Sequence, residues 1–202
     1  MASPGRCEEN EIALGSLFKF SAGLVSAFMI HEGSHWLVAE TTDTDMHWEA
    51  GDYNQPIGFT AEPDNDAKGL ALYSAGLASQ IIGSEIILQV DSINKNDAFV
   101  RGMMTWNIIN PILYSLDYWF FRISNQDNKD GFQGDIEGIE NYSNQTTANL
   151  FALSMLTLAS FQGYRFLKTQ TWAPDWVKNE NHNLNFMPQK SGGFLLTYEI
   201  AF

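Results

Sequence analysis

Four long apolar segments restrict the possible folds of this chain more than any other feature. They lie at residues 12–39, 69–90, 99–121 and 148–167. Each is about as long as the roughly 20 residues that cross the core of a bilayer as a helix, or somewhat longer. Isolated polar residues stand among apolar ones on most sides, whereas a soluble amphipathic helix concentrates them along one stripe. The pattern predicts a mainly α-helical integral membrane protein, a bundle of four transmembrane helices.

The polar connections contain two stretches that predict strands. In the loop at residues 40–68, short aromatic pieces are interrupted by glycine and proline, which is typical of a small β-hairpin. In the tail, residues 183–188 and 193–202 alternate around a Gly-rich turn and predict a second hairpin. A chain of 202 residues is most simply one domain. We expect a helical membrane core at about residues 12–168 and a tail at 169–202.

Charge and cysteine content exclude two classes of function. The chain has 11 basic and 24 acidic residues and a net charge of −13, which makes a poor surface for nucleic acid. Its single cysteine, Cys7, excludes an internal disulfide and a cysteine-based zinc site. We therefore expect no nucleic-acid partner, whereas the four apolar segments predict the lipid bilayer as a partner.

The first apolar segment carries the pattern His-Glu-x-x-His at residues 31–35. Residues four apart lie on the same face of a helix, so the imidazoles of His31 and His35 can point at one metal ion. This is the spacing of two ligands in a tetrahedral Zn²⁺ site. Glu32, next to the first ligand, occupies the position of the glutamate that acts as general base in hydrolases with this motif. The motif predicts zinc as the cofactor of a hydrolase.

A catalytic zinc site of this kind needs a third protein ligand. Asp117 is the most informative candidate, because an ionisable group in an apolar segment is costly and marks a functional site. Asp135, in the glycine-containing loop at 134–138, and Glu85 are the alternative ligands. Glu85 has a competing structural role as the partner of a cation inside the bundle: Arg101, Arg165 or Lys19. The two remaining histidines are expected at the surface: His47 and His182.

Two motifs resemble the site-2 protease family of intramembrane metalloproteases. Residues 31–39, His-Glu-Gly-Ser-His-Trp-Leu-Val-Ala, are similar to its first motif. Residues 107–118 resemble its second motif, Asn-x-x-Pro-x-x-x-Leu-Asp-Gly, with Asn107, Pro111 and Asp117 in order. The two spacings in this segment are each one residue longer than in the family, and Tyr118 replaces the glycine. The resemblance covers about residues 17–121.

The resemblance implies a membrane-embedded metallopeptidase that cleaves a peptide or a membrane-protein segment. The implied zinc ligands are His31, His35 and Asp117. Glu32 would be the general base, and Asn107 or Asn110 would help to position the substrate.

Two other interpretations stay open. The first is a soluble zincin-like metalloprotease with buried helices, in which Glu85 or a loop acid is the third ligand. Stable solubility without detergent would identify it. The second is a non-catalytic membrane protein that binds metal structurally or serves as a partner in an assembly. In that case Glu32→Gln would leave its biological function unchanged.

Overall fold

A computed structural model describes residues 4–48, 57–122, 134–178, 182–188 and 194–200 of the chain. The described residues are mainly helical. The chain divides into two compact units, Met1–Phe166 and Leu167–Phe202.

The first unit is built from helices and one small hairpin. Its elements are α1 (Pro4–Thr41), β1 (Asp45–Trp48), β2 (Ile57–Ala61), α2 (Asp66–Gln89), α3 (Ala98–Asp117), a π-helical turn (Tyr118–Arg122), α4 (Asp135–Asn141) and all but the last three residues of α5 (Gln145–Thr169). Two of the helices begin at side-chain caps, which satisfy N–H groups that the helix itself leaves unpaired. The Asn65 side chain accepts a hydrogen bond from the Lys68 N–H at 3.0 Å before α2. Asp97 caps α3 in the same way.

α1 and α3 are in backbone contact at two glycines. A Cβ at Gly23 would lie 2.0 Å from the Phe99 carbonyl oxygen, and a Cβ at Gly102 would lie 2.0 Å from the Phe20 carbonyl oxygen. Any larger side chain at either position would force the helices apart. Small residues at a helix crossing are characteristic of helix pairs in membranes, where packing replaces the hydrophobic effect between helices.

α2, α4 and α5 enclose the main apolar core of the first unit. Its buried residues include Tyr73 and Leu77 of α2, Ile136 and Ile139 of α4, and Ala152 of α5.

Polar side chains connect α5 to its neighbours through backbone carbonyls. The Ser115 hydroxyl of α3 donates to the Ala152 carbonyl at 2.9 Å, and the Gln162 amide donates to the Ile81 carbonyl of α2 at 2.9 Å. These contacts satisfy buried polar groups inside the bundle, where an unpaired group is costly.

Both predicted hairpins are present. β1 and β2 pair antiparallel in the first loop, with an irregularity between Asp45 and Met46. In the second unit, a short helix α6 (Asp175–Lys178) is followed by β3 (His182–Pro188) and β4 (Phe194–Ile200). β3 and β4 pair antiparallel along their whole length.

The prediction of four transmembrane helices needs correction. Among the described residues, only Leu14–Thr41 and Asp66–Gln89 are long and apolar enough to cross a membrane. α3 and α5 have the length, at 20 and 25 residues, but neither has a stretch that is apolar enough to qualify, and both carry polar groups. Three of these groups are buried amides: Asn107, Asn110 and Gln162.

Candidate metal centre

His31 and His35 face the interior of the first unit from the second half of α1. Their side chains lie one helical turn apart, and their Nε2 atoms are 3.3 Å from each other. The two residues are only 2% and 6% exposed. Both imidazoles therefore present a nitrogen to the same small buried volume, as the motif predicts.

Asp135, the first residue of α4, lies against both histidines. Its Oδ2 atom is 3.4 Å from His31 Nε2, and its Oδ1 atom is 3.3 Å from His35 Nε2. Ligands about 2.0–2.1 Å from a tetrahedral Zn²⁺ ion are about 3.3–3.4 Å from one another. The two nitrogens and the carboxylate thus have the mutual spacing of three ligands around one zinc ion.

The hydrogen bond of His35 to α2 determines which of its ring nitrogens carries the proton when the ring is neutral. His35 Nδ1 lies 2.8 Å from the Leu72 carbonyl oxygen, which can only accept a hydrogen bond. The proton of a neutral His35 is therefore on Nδ1, and its Nε2 presents a lone pair. Asp135 Oδ2 is buried and has no hydrogen-bond partner among the described residues. A cation between these atoms would satisfy all of them at once, so the donor set fits a metal ion.

The Asp135 carboxyl is suited to act as an anionic ligand. Burial would by itself raise the pKa of this carboxyl, but the positive charge of the adjacent His35 and His31, when they are protonated, outweighs this effect and holds the pKa below its ordinary value. Asp135 is therefore ionised at neutral pH.

Glu32 lies close to the same point. One ligand atom of Glu32 lies within 4.8 Å of those of His31 and His35. Its side chain is largely buried, with a relative exposure of 8%. A carboxylate this close to the two histidines can hold a metal ion together with them or reach a water molecule in the site.

The backbone of α2 approaches the two imidazoles at Gly76. A Cβ at this position would lie 2.3 Å from His35 Nε2 and 2.5 Å from His31 Cε1. Only glycine allows this approach without displacing the rings. Leu72, which accepts the hydrogen bond of His35, lies one turn before Gly76 on the same face of α2.

Two tyrosine–glycine contacts fix α4, and hence Asp135, against α2. A Cβ at Gly138 would lie 2.1 Å from the Tyr73 ring, and a Cβ at Gly69 would lie 2.1 Å from the Tyr142 ring. The two tyrosine rings stack with their centroids 5.8 Å apart. Gly138 of α4 thus packs against the Tyr73 ring of α2, and Gly69 of α2 packs against the ring of Tyr142, which follows α4.

The remaining predicted site residues lie in α2 and α3. The acid beside the histidines is Asp135, the predicted alternative, whereas Asp117 ends α3. Glu85 forms an ion pair with Arg165, at 2.7 Å, as its competing structural role predicts. Asn110 donates to the Gln80 side chain at 3.1 Å, and Asn107 is buried in α3.

Three residues at this centre have no sequence pattern that predicted a role there: Tyr73, Gly76 and Gly138. The run of small residues at 74–78 is the signal that could have identified Gly76, because such runs allow close helix contact. The tyrosine–glycine contacts have no comparable signal, since each joins residues far apart in the chain.

The chain matches no protein-family model, no curated protein and no solved structure. The interpretation of the centre therefore depends on its own geometry and chemistry.

Proposed function

We propose that this chain is a zinc-dependent metallopeptidase embedded in a membrane, of the site-2 protease-like kind. The observation that carries the proposal is the mutual spacing of His31 Nε2, His35 Nε2 and the Asp135 carboxylate, 3.3–3.4 Å. Two imidazoles and one carboxylate are a donor set that suits Zn²⁺, and three protein ligands leave a fourth position for water or substrate.

The catalytic residue that we assign is Glu32. Zinc, when bound, lowers the pKa of water to near neutrality and polarises the carbonyl of a scissile peptide bond. Glu32, within 4.8 Å of the histidine ligand atoms, takes the proton of the attacking water and transfers it to the leaving amine. The Asp135 carboxylate contributes negative charge to the ligand set, and the Leu72 carbonyl holds the His35 ring in its tautomer.

The surface of the helices supports the membrane setting. In the most apolar windows of Leu14–Thr41 and Asp66–Gln89, only 17% and 33% of the residues are buried. Core helices of soluble proteins are mostly buried, and these two are not. Large apolar side chains are exposed along α1 and α2: Leu17 at 61%, Phe18 at 76%, Leu37 at 66% and Ile82 at 59%. Lipid is the solvent that matches such a surface.

α1 is also unlike a removable signal sequence. It carries both histidines of the centre, and it is in backbone contact with α3 at Gly23. Loss of α1 would remove the metal site and one side of the bundle. The arrangement supports a retained membrane helix whose substrate, a peptide or membrane-protein segment, reaches the zinc site from the bilayer or its surface.

One feature departs from the family pattern. The proposed third ligand comes from α4 and not from the segment at 107–118 that resembles the second motif. Asn107 and Asn110 of that segment stay the proposed substrate-positioning residues, because both are amides in the interior of the bundle.

The test is the pair of variants Glu32→Gln and Glu40→Gln in the purified full chain. Synthetic transmembrane peptides in lipid vesicles serve as substrates, products are detected by mass spectrometry, and zinc is measured by elemental analysis. We expect Glu32→Gln to keep zinc and lose hydrolysis, while Glu40→Gln, an exposed residue of the same helix, behaves as wild type. Hydrolysis by Glu32→Gln at the wild-type rate, or no zinc in the wild type, would overturn the enzymatic proposal. A monodisperse chain in detergent-free buffer would overturn the membrane setting.

A further inference from the structure

Two buried polar atoms beside the metal centre have no hydrogen-bond partner among the described residues. They are His31 Nδ1 and Gln80 Nε2. Gln80 is 1% exposed and lies one turn after Gly76, whose Cβ position is 2.7 Å from His31 Nδ1. The Gln80 side chain also interacts with the His31 ring. The two unsatisfied groups are therefore neighbours.

The chemistry of a bound metal specifies what His31 Nδ1 requires. His31 Nε2 faces Asp135 and His35, so it is the atom that would bind zinc. Nδ1 then carries the proton and needs an acceptor, as His35 Nδ1 has in the Leu72 carbonyl. The Gly76 carbonyl also interacts with the His31 ring, and it accepts a hydrogen bond from the Ser79 hydroxyl at 2.7 Å. Gln80 Nε2 is the side-chain atom beside the ring that still lacks a partner among the described residues.

A rotation of two amides satisfies both groups. Gln80 Oε1 accepts a hydrogen bond from Asn110 Nδ2 at 3.1 Å. Rotating each amide by 180° exchanges its oxygen and nitrogen and leaves its shape unchanged. Gln80 Nε2 then donates to Asn110 Oδ1, and Gln80 Oε1 turns towards the proton of His31 Nδ1.

We propose that Gln80 is a positioning residue of the metal centre that accepts the hydrogen bond of His31 Nδ1–H and is itself held by Asn110. This inference rests on the proposed zinc site. A hydrogen bond from α2 to each histidine then fixes both rings: Leu72 for His35 and Gln80 for His31. Such partners orient metal-binding imidazoles and make them more basic, and their loss typically weakens metal binding 10- to 100-fold.

The experiment compares zinc affinity in three variants of the detergent-solubilised full chain. Gln80→Leu removes the acceptor at similar volume, and Gln80→Glu keeps an acceptor oxygen. Gln162→Leu is the matched control, because Gln162 is a buried glutamine of the same bundle whose amide contacts Ile81 and Glu85. Zn²⁺ affinity is measured by competition with a chelator. The visible absorption of the Co²⁺-substituted chain reports the geometry of the centre.

We expect Gln80→Leu to bind Zn²⁺ about 10- to 100-fold more weakly and to change the Co²⁺ spectrum. Gln80→Glu should bind at least as tightly as wild type, and Gln162→Leu should not differ from it. Unchanged affinity in Gln80→Leu, or equal losses in Gln80→Leu and Gln162→Leu, would overturn the inference while leaving the zinc site intact. A wild-type chain without zinc affinity would overturn the proposed function and this inference together.

Discussion

The contact between Gly76 and the two imidazoles provides a direct test of the metal centre. In Gly76→Ala, the new Cβ would lie 2.3 Å from His35 Nε2, whereas ordinary contact begins at 3.4 Å, so the ring must retreat by about 1.1 Å. Metal–ligand distances tolerate only about 0.2 Å. Loss of a hydrogen bond to a metal-binding histidine already weakens metal binding up to about 100-fold. We therefore expect Gly76→Ala to weaken zinc binding by about 100-fold or more, which is about 2.7 kcal/mol.

The assay separates this effect from a loss of folding. Alanine has a higher helix propensity than glycine by about 1 kcal/mol, so the substitution itself favours α2. The matched control is Gly33→Ala within the metal-binding motif of α1, because a Cβ at Gly33 meets nothing within 4 Å. Zn²⁺ affinity is measured by chelator competition, and helix content and thermal unfolding are followed by circular dichroism.

We expect Gly33→Ala to bind zinc as the wild type does and to unfold at an equal or higher temperature. Gly76→Ala should keep its helix content and lose zinc. Zinc affinity of Gly76→Ala within threefold of the wild type would refute the reasoning, because two rings displaced by the new Cβ cannot hold the same ion.

Three further predictions concern the third ligand, its supporting helix and pH. Asp135→Asn should lose stoichiometric zinc in elemental analysis, while Asp117→Asn keeps it; the reverse result would return Asp117 to the site. Gly138→Ala, whose Cβ would lie 2.1 Å from the Tyr73 ring, should weaken zinc binding at least tenfold in chelator competition, although it touches no ligand. Histidines bind metal only when neutral, so zinc measured after dialysis should be retained at pH 8 and released below about pH 6, and retention at pH 4 would exclude histidine ligands.

The sequence was sufficient for features that depend on local spacing. His31 and His35 meet because residues four apart share a helix face, and this holds in any helix. The two hairpins follow from alternation and turn residues in the same way. One of the two roles predicted for Glu85 was an ion pair inside the bundle with Arg101, Arg165 or Lys19, and its partner in the structure is Arg165.

The third ligand depends on tertiary packing and was not decided by local pattern. Asp117 is the more conspicuous acid in the sequence, since it stands in an apolar segment. Asp135 reaches the histidines because α4 docks through contacts of its Gly138 with Tyr73 of α2. Such a contact has no periodicity, and its partners are far apart in the chain.

The number of membrane spans was overestimated for a related reason. Apolar content and length do not distinguish a helix that faces lipid from one whose polar groups are paired inside a bundle. Asn110 of α3 pairs with Gln80, and Gln162 of α5 pairs with the Ile81 carbonyl. Both helices therefore hold paired polar groups in the interior of the bundle, and their apolar residues alone do not reveal this.

The late position of Asp135 has a consequence for biosynthesis. Asp135 follows His35 by 100 residues, so the ribosome, adding about 5–20 residues per second, makes both histidines roughly 5–20 seconds before their acidic partner. During this interval the nascent chain has the motif and the base without the complete ligand set. The proposed hydrolase would stay inactive until α4 has docked on α2, and a prematurely terminated chain would never become active. Docking of the seven-residue helix α4 would thus be the final step of maturation.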